Sequence, residues 1–444
     1  MNLQEAAEAM DEEARKNGTS EFDIIAIESE GMGVEVFEGK VKNTEISNSR
    51  GIGIRLFKDN KPGIAFTEKI SLPSIRQVIT DAIAHSKITD EMYLDFPEVS
   101  PIKEIDLKLY DSSLDEFDFP KMIDICKKME EVALTSNSKV VNVPYIGASR
   151  SFFQSVIRNS KGVNFSRKKN GYSGYLGVVS AQDNYKKMGI YSDGGLDYKS
   201  FDPEFIAKTA VERSVELLGA EPVKSGPYPI IFSNRVSKSI IGMFLSPFYA
   251  EQVQKGRSKL KGKLNTKIAS EIITISSEPH IPGLPGSSLW DSEGVPTVPI
   301  SLISNGVLKS FLYHLESAKK DGVKSNGHGS RGYDGKAGTA IWNLIMEKGS
   351  SNLNELMNMY PECILIHKLE GGSGCSAISG EISIGAQGFY CKNGKIDRPV
   401  DRITLSSNYF DLIQNIKSIS NEYSPVYSSF KAPDILVDPV FVAG

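Results

Sequence analysis

Histidine and cysteine are scarce in this 444-residue chain, which holds five of the first and four of the second. The histidines are His85, His280, His314, His328 and His367, and none stands four residues from another. No helix can therefore offer two imidazoles to one zinc ion, the spacing that a helical metal site uses. His314 and His367 lie in apolar strand-like runs and read as core or edge histidines. Cys126, Cys363, Cys375 and Cys391 show no CxxC spacing. They are too few for a disulfide framework in a chain of this size and read as reduced thiols of a cytoplasmic protein. No apolar run approaches the roughly 18 residues that a membrane-spanning helix needs. The start, MNLQEAAEAMDEEARKNG, is acidic and lacks the basic and apolar segments of a secretory signal. A basic excess is missing too. The formal net charge is -4, which gives no electrostatic footprint for nucleic acid. Walker A and GxSxG motifs are absent, and Gly327-His328-Gly329-Ser330-Arg331-Gly332 fits GxGxxG only by spelling. A dinucleotide site needs that motif between a strand and a helix, whereas another flexible loop follows here.

What is present is an α+β pattern. The length implies two or more domains, because one core rarely grows beyond about 300 residues. Residues 3–17 have helical spacing, and the runs FDIIAIES (22–29), GVEVF (33–37) and GIGIRLF (51–57) read as strands. Residues 71–87 return to helical spacing. A second unit carries helices near 114–136 and 202–218 around strand-like segments, two of them joined by the turn Asn159-Ser160-Lys161-Gly162. Two prolines and two glycines in GAEPVKSGP (219–227) mark a boundary. The expected arrangement is an N-terminal antiparallel sheet with helices over 1–220, in subunits of about 1–100 and 101–220. A C-terminal β-rich domain, curled or barrel-like, follows over 221–444. Helices are expected there only near 235–246, 352–358 and 407–418.

Two C-terminal segments carry candidate chemistry. In Asp291-Ser292-Glu293-Gly294 the two carboxylates suit a substrate or partner contact, although Asp, Ser and Gly are equally turn formers. The glycine-rich stretch 369–390 contains Gly380 and Glu381 and allows close strand approach, a bulge, or contact with a peptide backbone. Cys375 has no histidine near it in sequence to act as base.

Several segments, in order, resemble the PmbA/TldD family. They are Gly33–Val41, Gly51–Asp59, Ser258–Leu264 ("S.l.gklG"), Asp291–Gly294 ("DdEG"), Asn305–Leu308, Ser379–Ser383 ("tGdfS") and Ser429–Val437. The ending is similar to that of the PmbA branch, also called TldE. The TldD branch places a zinc-binding HExxxH just before "S.l.gklG" and a cysteine ligand near its C-terminus. Here Leu245–Gln254 contains no histidine, and Ser428 and Ser429 stand where the cysteine would be. The resemblance implies a subunit of a TldD-type metallopeptidase system, with no cofactor in this chain and zinc only in a TldD-type partner. It implies a dimer with that partner or with itself, building a chamber that admits unfolded peptide. Asp291, Glu293, Gly294, Gly380 and Glu381 are then the expected cleft positions. Two alternatives stay open: a non-enzymatic binding or regulatory protein, and an independent hydrolase using Cys375 or a serine.

Overall fold

The computed structural model describes residues 1–92, 94–99, 101 and 105–444. Six antiparallel strands form one large sheet: β1 (Glu21–Phe37), β2 (Lys40–Lys58), β3 (Lys61–Thr67), β4 (Val140–Asn159), β5 (Asn164–Gln182) and β6 (Tyr185–Gly195). Their order is β3-β2-β1-β4-β5-β6, so strands from both sides of residue 100 share the sheet. The sequence runs at 22–29 and 33–37 are one continuous strand. β2 likewise extends well upstream of its apolar part, because its first half is exposed and has no apolar alternation to reveal it.

Helices cover one face of this sheet in two pairs. The helix α1 (Leu3–Lys16) begins at Asn2, whose side chain accepts the Glu5 amide while Glu5 reaches back to the Asn2 amide. Leu3, Ala6, Ala7 and Met10 of α1, with Ile75, Val78 and Ile79 of α2 (Leu72–Ser86), bury against Phe22, Ile24, Ile52 and Ile54. At the other end, α3 (Phe119–Ser136) and α4 (Pro203–Val215) pack on Val34, Val36, Ile146 and Leu176. A short 3-10 turn over Ser112–Glu116 precedes α3, where sequence periodicity suggests one helix from 114. Asp118 caps α3 and Pro120 stands in its first turn, a position where no backbone donor is lost.

The C-terminal half contains the expected curled sheet. Strand β7 (Gly226–Phe232) runs parallel to Glu362–Glu370 and antiparallel to Pro433–Ala443. Glu362–Glu370 pairs with Glu381–Lys392, which pairs with Lys395–Asn408, and that strand pairs with Pro433–Ala443. Five strands thus close into a ring, and Ile416–Tyr423 adds outside Pro433–Ala443. Five short strands make a second sheet, and the largest apolar core fills the space between, through Phe232, Phe244, Leu302, Ile364 and Ile435.

The helix expected over 407–418 is only Tyr409–Leu412, and a strand begins at Ile416. Its apolar residues satisfy both periods over so short a run, and pairing with Pro433–Ala443 decides the outcome. The helix expected over 235–246 is Ser237–Gly242. Two further helices, Ala250–Gln254 and Leu315–Asp321, are too short to show a period.

The second face of the large sheet meets the C-terminal half. Phe165 stacks on Trp290 with ring centroids 4.7 Å apart, and at the sheet's edge, on the helix side of β6, Lys187 pairs with Asp401. Approach is closest at Gly53, where an added Cβ would lie 1.8 Å from the Tyr333 carbonyl oxygen. Gly53→Ala is expected to destabilise the protein by about 3 kcal/mol through enforced separation of the two layers. Urea denaturation should show the lower midpoint, and an unchanged midpoint would contradict this account of the contact.

Candidate functional site

Two acidic and two basic side chains meet, buried, where the sheet contacts the C-terminal half. Asp23 of β1 and Arg55 of β2 project from the face opposite the helices. Arg55 donates to both Asp23 oxygens, at 3.1 and 2.7 Å, and to Glu293 at 2.8 Å. Arg331 donates to Asp23 at 2.7 Å. Although burial works against its charge, Asp23 and Glu293 hold the Arg55 guanidinium above its usual range. Burial lowers Arg331, and Asp23 opposes that shift. The four charges balance, which is the condition for keeping them out of water.

The Asp291–Gly294 segment is the C-terminal half's contribution to this cluster. Glu293 is fully buried, and its second oxygen accepts the Leu315 amide at 2.7 Å. Asp291 accepts the amides of Glu293, Val295 and Gly329 at 2.9, 2.9 and 2.7 Å. Burial, then the charge of Glu293, pushes the Asp291 carboxyl up to about 8 against those three donors. Gly294 has φ +78°, and an added Cβ would lie 2.9 Å from Val163. The segment is thus a turn that delivers an ionic contact between the two halves.

Gly380 and Glu381 lie in a different place. Gly380 has φ +77°, and an added Cβ would meet Asn408 and Phe410, both at 2.7 Å. Glu381 is exposed and accepts the Ser379 hydroxyl at 3.0 Å. The loop folds over the Tyr409–Leu412 helix, whose Tyr409 stacks on Phe244 at 4.5 Å. The five expected positions therefore divide into an interior group and a group near the Leu245–Gln254 segment.

That segment forms a 3-10 turn, Ser246–Phe248, and the helix Ala250–Gln254. Its one carboxylate, Glu251, binds Lys255 at 3.1 Å. Ser428 caps the Phe430 amide at 3.1 Å. These groups do not fit a zinc ion, which takes thiolate, imidazole and carboxylate in a converging set. Among the described residues no three His, Cys, Asp or Glu side chains are grouped to hold a metal.

Sequence reasoning missed one juxtaposition. Ser277 Oγ lies 3.0 Å from His328 Nε2, and Asn326 Oδ1 lies 3.1 Å from His328 Nδ1. The order of groups imitates a serine nucleophile, base and orienter. Ser277 and His328 are both fully buried, however, so no substrate reaches the hydroxyl. Burial lowers the His328 imidazole to about 4, which keeps it neutral. The trio is a satisfied core network. Cys375 is half-buried, and among the described residues no histidine pairs with it.

Comparison with known proteins decides the family. The PmbA/TldA metallopeptidase domain 1 matches residues 22–86, the central domain matches 112–218, and the C-terminal domain matches 225–444. The chain belongs to the PmbA/TldD family. The metalloprotease PmbA homolog of Haemophilus influenzae is 25% identical over 446 residues, covering 100% of this chain and 96% of that protein. Metalloprotease PmbA of Escherichia coli O157:H7 is 25% identical, covering 96% and 93%. A Thermotoga maritima crystal structure, named as a modulator of a DNA gyrase, superposes with TM-score 0.91 at 28% identity over the full length of both chains. TldE from Thermococcus kodakarensis shares the fold, with TM-score 0.86 at 22% identity, covering 98% of this chain and 100% of that one.

Two measurements probe the interior of this family member. Glu293→Ala leaves Arg55 buried without its second carboxylate and should cost about 3–5 kcal/mol of stability. In a double-mutant cycle with Arg55→Ala the two losses should fall short of additive by at least about 1 kcal/mol. Additive losses would mean that the pair is not coupled. For His328 the unfolded chain binds a proton below about 6.5 and the folded protein only below about 4. Its stabilising contribution is therefore complete above pH 6.5 and is lost as pH falls through that window, by about 3 kcal/mol. His328→Gln should remove this component, seen as a wild-type-minus-variant difference that shrinks from pH 7 to pH 4 in denaturant titrations.

Proposed function

We propose that this chain is the PmbA/TldE-like subunit of a TldD-type metallopeptidase system, building part of a peptide-admitting chamber while the zinc ion is held by a TldD-type partner. The observation that carries this reading is the mismatch inside an otherwise full-length family fold. The chain matches metallopeptidase models across 22–86, 112–218 and 225–444, yet its Leu245–Gln254 segment offers one carboxylate already engaged by Lys255. A single engaged carboxylate is too few donors for a zinc ion, which in such peptidases lowers the pKa of a bound water.

Assembly with a partner is supported by the large sheet. β3 pairs with β2 only from Ile52 onward. Residues 40–49 of β2 are exposed at every position, so one line of main-chain donors and acceptors along that half faces outward. Edges of this kind are normally covered or paired. The same open edge and the polar sheet face beside it suit an unfolded peptide, which can add main-chain hydrogen bonds where a folded protein cannot. No described helix is long and apolar enough to cross a membrane.

The test is reconstitution. The purified chain should cleave an unstructured casein-derived peptide negligibly by itself. A mixture with a TldD-type protein should cleave it, and a chelator should abolish that activity. Robust, chelator-insensitive cleavage by this chain alone would sink the reading and point to an independent hydrolase.

A further inference from the structure

Past the Phe165–Trp290 stack, the sheet face that meets the C-terminal half comes out from under it. There Leu109, Pro285 and Tyr427 wall a cavity of about 220 Å³ whose floor belongs to β4 and β5. The floor is made of small groups, Ser149, Ser151, Gly171 and Ser173, so chain can approach it closely. Among the described residues lining the cavity, Lys169 alone is charged.

Lys169 is half-buried and lacks a carboxylate partner among the described residues. Its Nζ sits 4.9 Å from the centroid of Phe153, directly opposite it in register. Burial, reinforced by the nearby Arg167, lowers its affinity for the proton, and no carboxylate offsets this. Arg167, two residues away on the same face, gives Nη1 to Ser288 at 2.7 Å but its buried Nε meets no protein partner. Ser155 Oγ, opposite Arg167 in register, is likewise buried and unpartnered. Taking an ammonium out of water is costly unless an anion or several acceptors replace the water, and an aromatic face returns only part of that cost. The cluster therefore carries positive charge and hydrogen-bonding capacity that the fold itself does not use. Farther along the floor, four residues from Lys169, the hydroxyls of Ser149 and Ser173 bond each other at 2.9 Å.

We propose that this cavity binds the carboxylate of an extended peptide, with Lys169 Nζ as the charged donor and the small-residue floor leaving room for the adjoining chain. The inference rests on the peptide-handling role above and adds to it a preference for a negatively charged position. The source of the carboxylate is either the chain terminus or a Glu side chain, and the test separates the two.

Fluorescein-labelled Gly/Ser octapeptides would be titrated against the purified full chain in three forms: free C-terminal acid, C-terminal amide, and amide with one internal Glu. The wild-type chain is expected to bind at least one carboxylate-bearing form about tenfold more tightly than the plain amide, the scale of one charge-assisted hydrogen bond. Preference for the free acid assigns the terminus, and preference for the internal Glu assigns a side chain. Lys169→Met should erase the preference while keeping the wild-type melting temperature, and Lys169→Arg should retain most of it. Equal binding of all three forms, or an undiminished preference in Lys169→Met, overturns the proposal. Because the readout is binding by this chain alone, that failure would leave cleavage by the reconstituted mixture, and hence the subunit reading, standing.

Discussion

The balanced cluster of Asp23, Arg55, Glu293 and Arg331 is the interaction on which the relation between the two halves depends. Each half supplies one acid and one base, and two of the three ion pairs cross between the halves. Asp23 and Arg55 form a pair within the sheet, but Arg55 has a second donor direction that only Glu293 fills. Arg331 in turn adds a positive charge that only Asp23 balances at hydrogen-bond distance. Apolar contact tolerates small displacement, whereas a buried charge network requires all its members in place. The close backbone approach at Gly53 makes that fit possible, because a side chain there would hold Tyr333 away.

Docked in this way, the sheet has two faces of different character. Helix pairs close one face with apolar side chains, and the C-terminal half closes part of the other with charged and aromatic ones. The uncovered remainder is polar and small. It borders the cavity around Lys169 and runs toward the first half of β2. The C-terminal strands by contrast form a ring, which removes most of the free edges that half would otherwise present. The large sheet keeps the open half-edge of β2.

Much of this was readable in the sequence, at the level of elements. The helices at 3–17 and 71–87 and the strands FDIIAIES and GIGIRLF agree with the structure within a residue or two at the helices, because apolar spacing there reports burial on one face. Even the charged cluster left a trace. Asp23 and Arg55 are charges embedded in apolar strand runs, and burial of a charge demands a partner. Which partner was not readable, since Glu293 lies 238 residues from Arg55 and Arg331 lies 308 from Asp23. The Asp291–Gly294 turn was found by its spelling, but spelling does not say whether carboxylates face solvent or interior. The first half of β2 escaped notice because an exposed strand has no burial pattern to impose alternation.

That exposed half-strand also bears on which kind of partner suits the proposed assembly. Two copies of β2 pairing antiparallel about a two-fold axis perpendicular to the sheet would place every residue opposite one from the same face, which means the same parity except across an irregularity. Arg50 would face Thr44, Ile46, Asn48 or its own copy, whereas Lys40, opposite Phe37 beyond the irregularity at Glu35/Val36, shares its face with Glu45. The acids that match Lys42 and Arg50 are Glu35 and Glu28 of the same chain's β1, at 3.6 and 3.5 Å. Self-pairing therefore gives Arg50 no cross-strand ion pair, and in some registers sets like charges opposite each other, which is destabilising. A strand of different sequence is free of that parity constraint. It can place an apolar side chain against Ile46, which is 73% exposed, and acids beside Lys40 and Lys42. The edge thus admits a Lys40–Glu45 pair with its own copy, and a foreign strand gains where it meets Arg50 and Ile46.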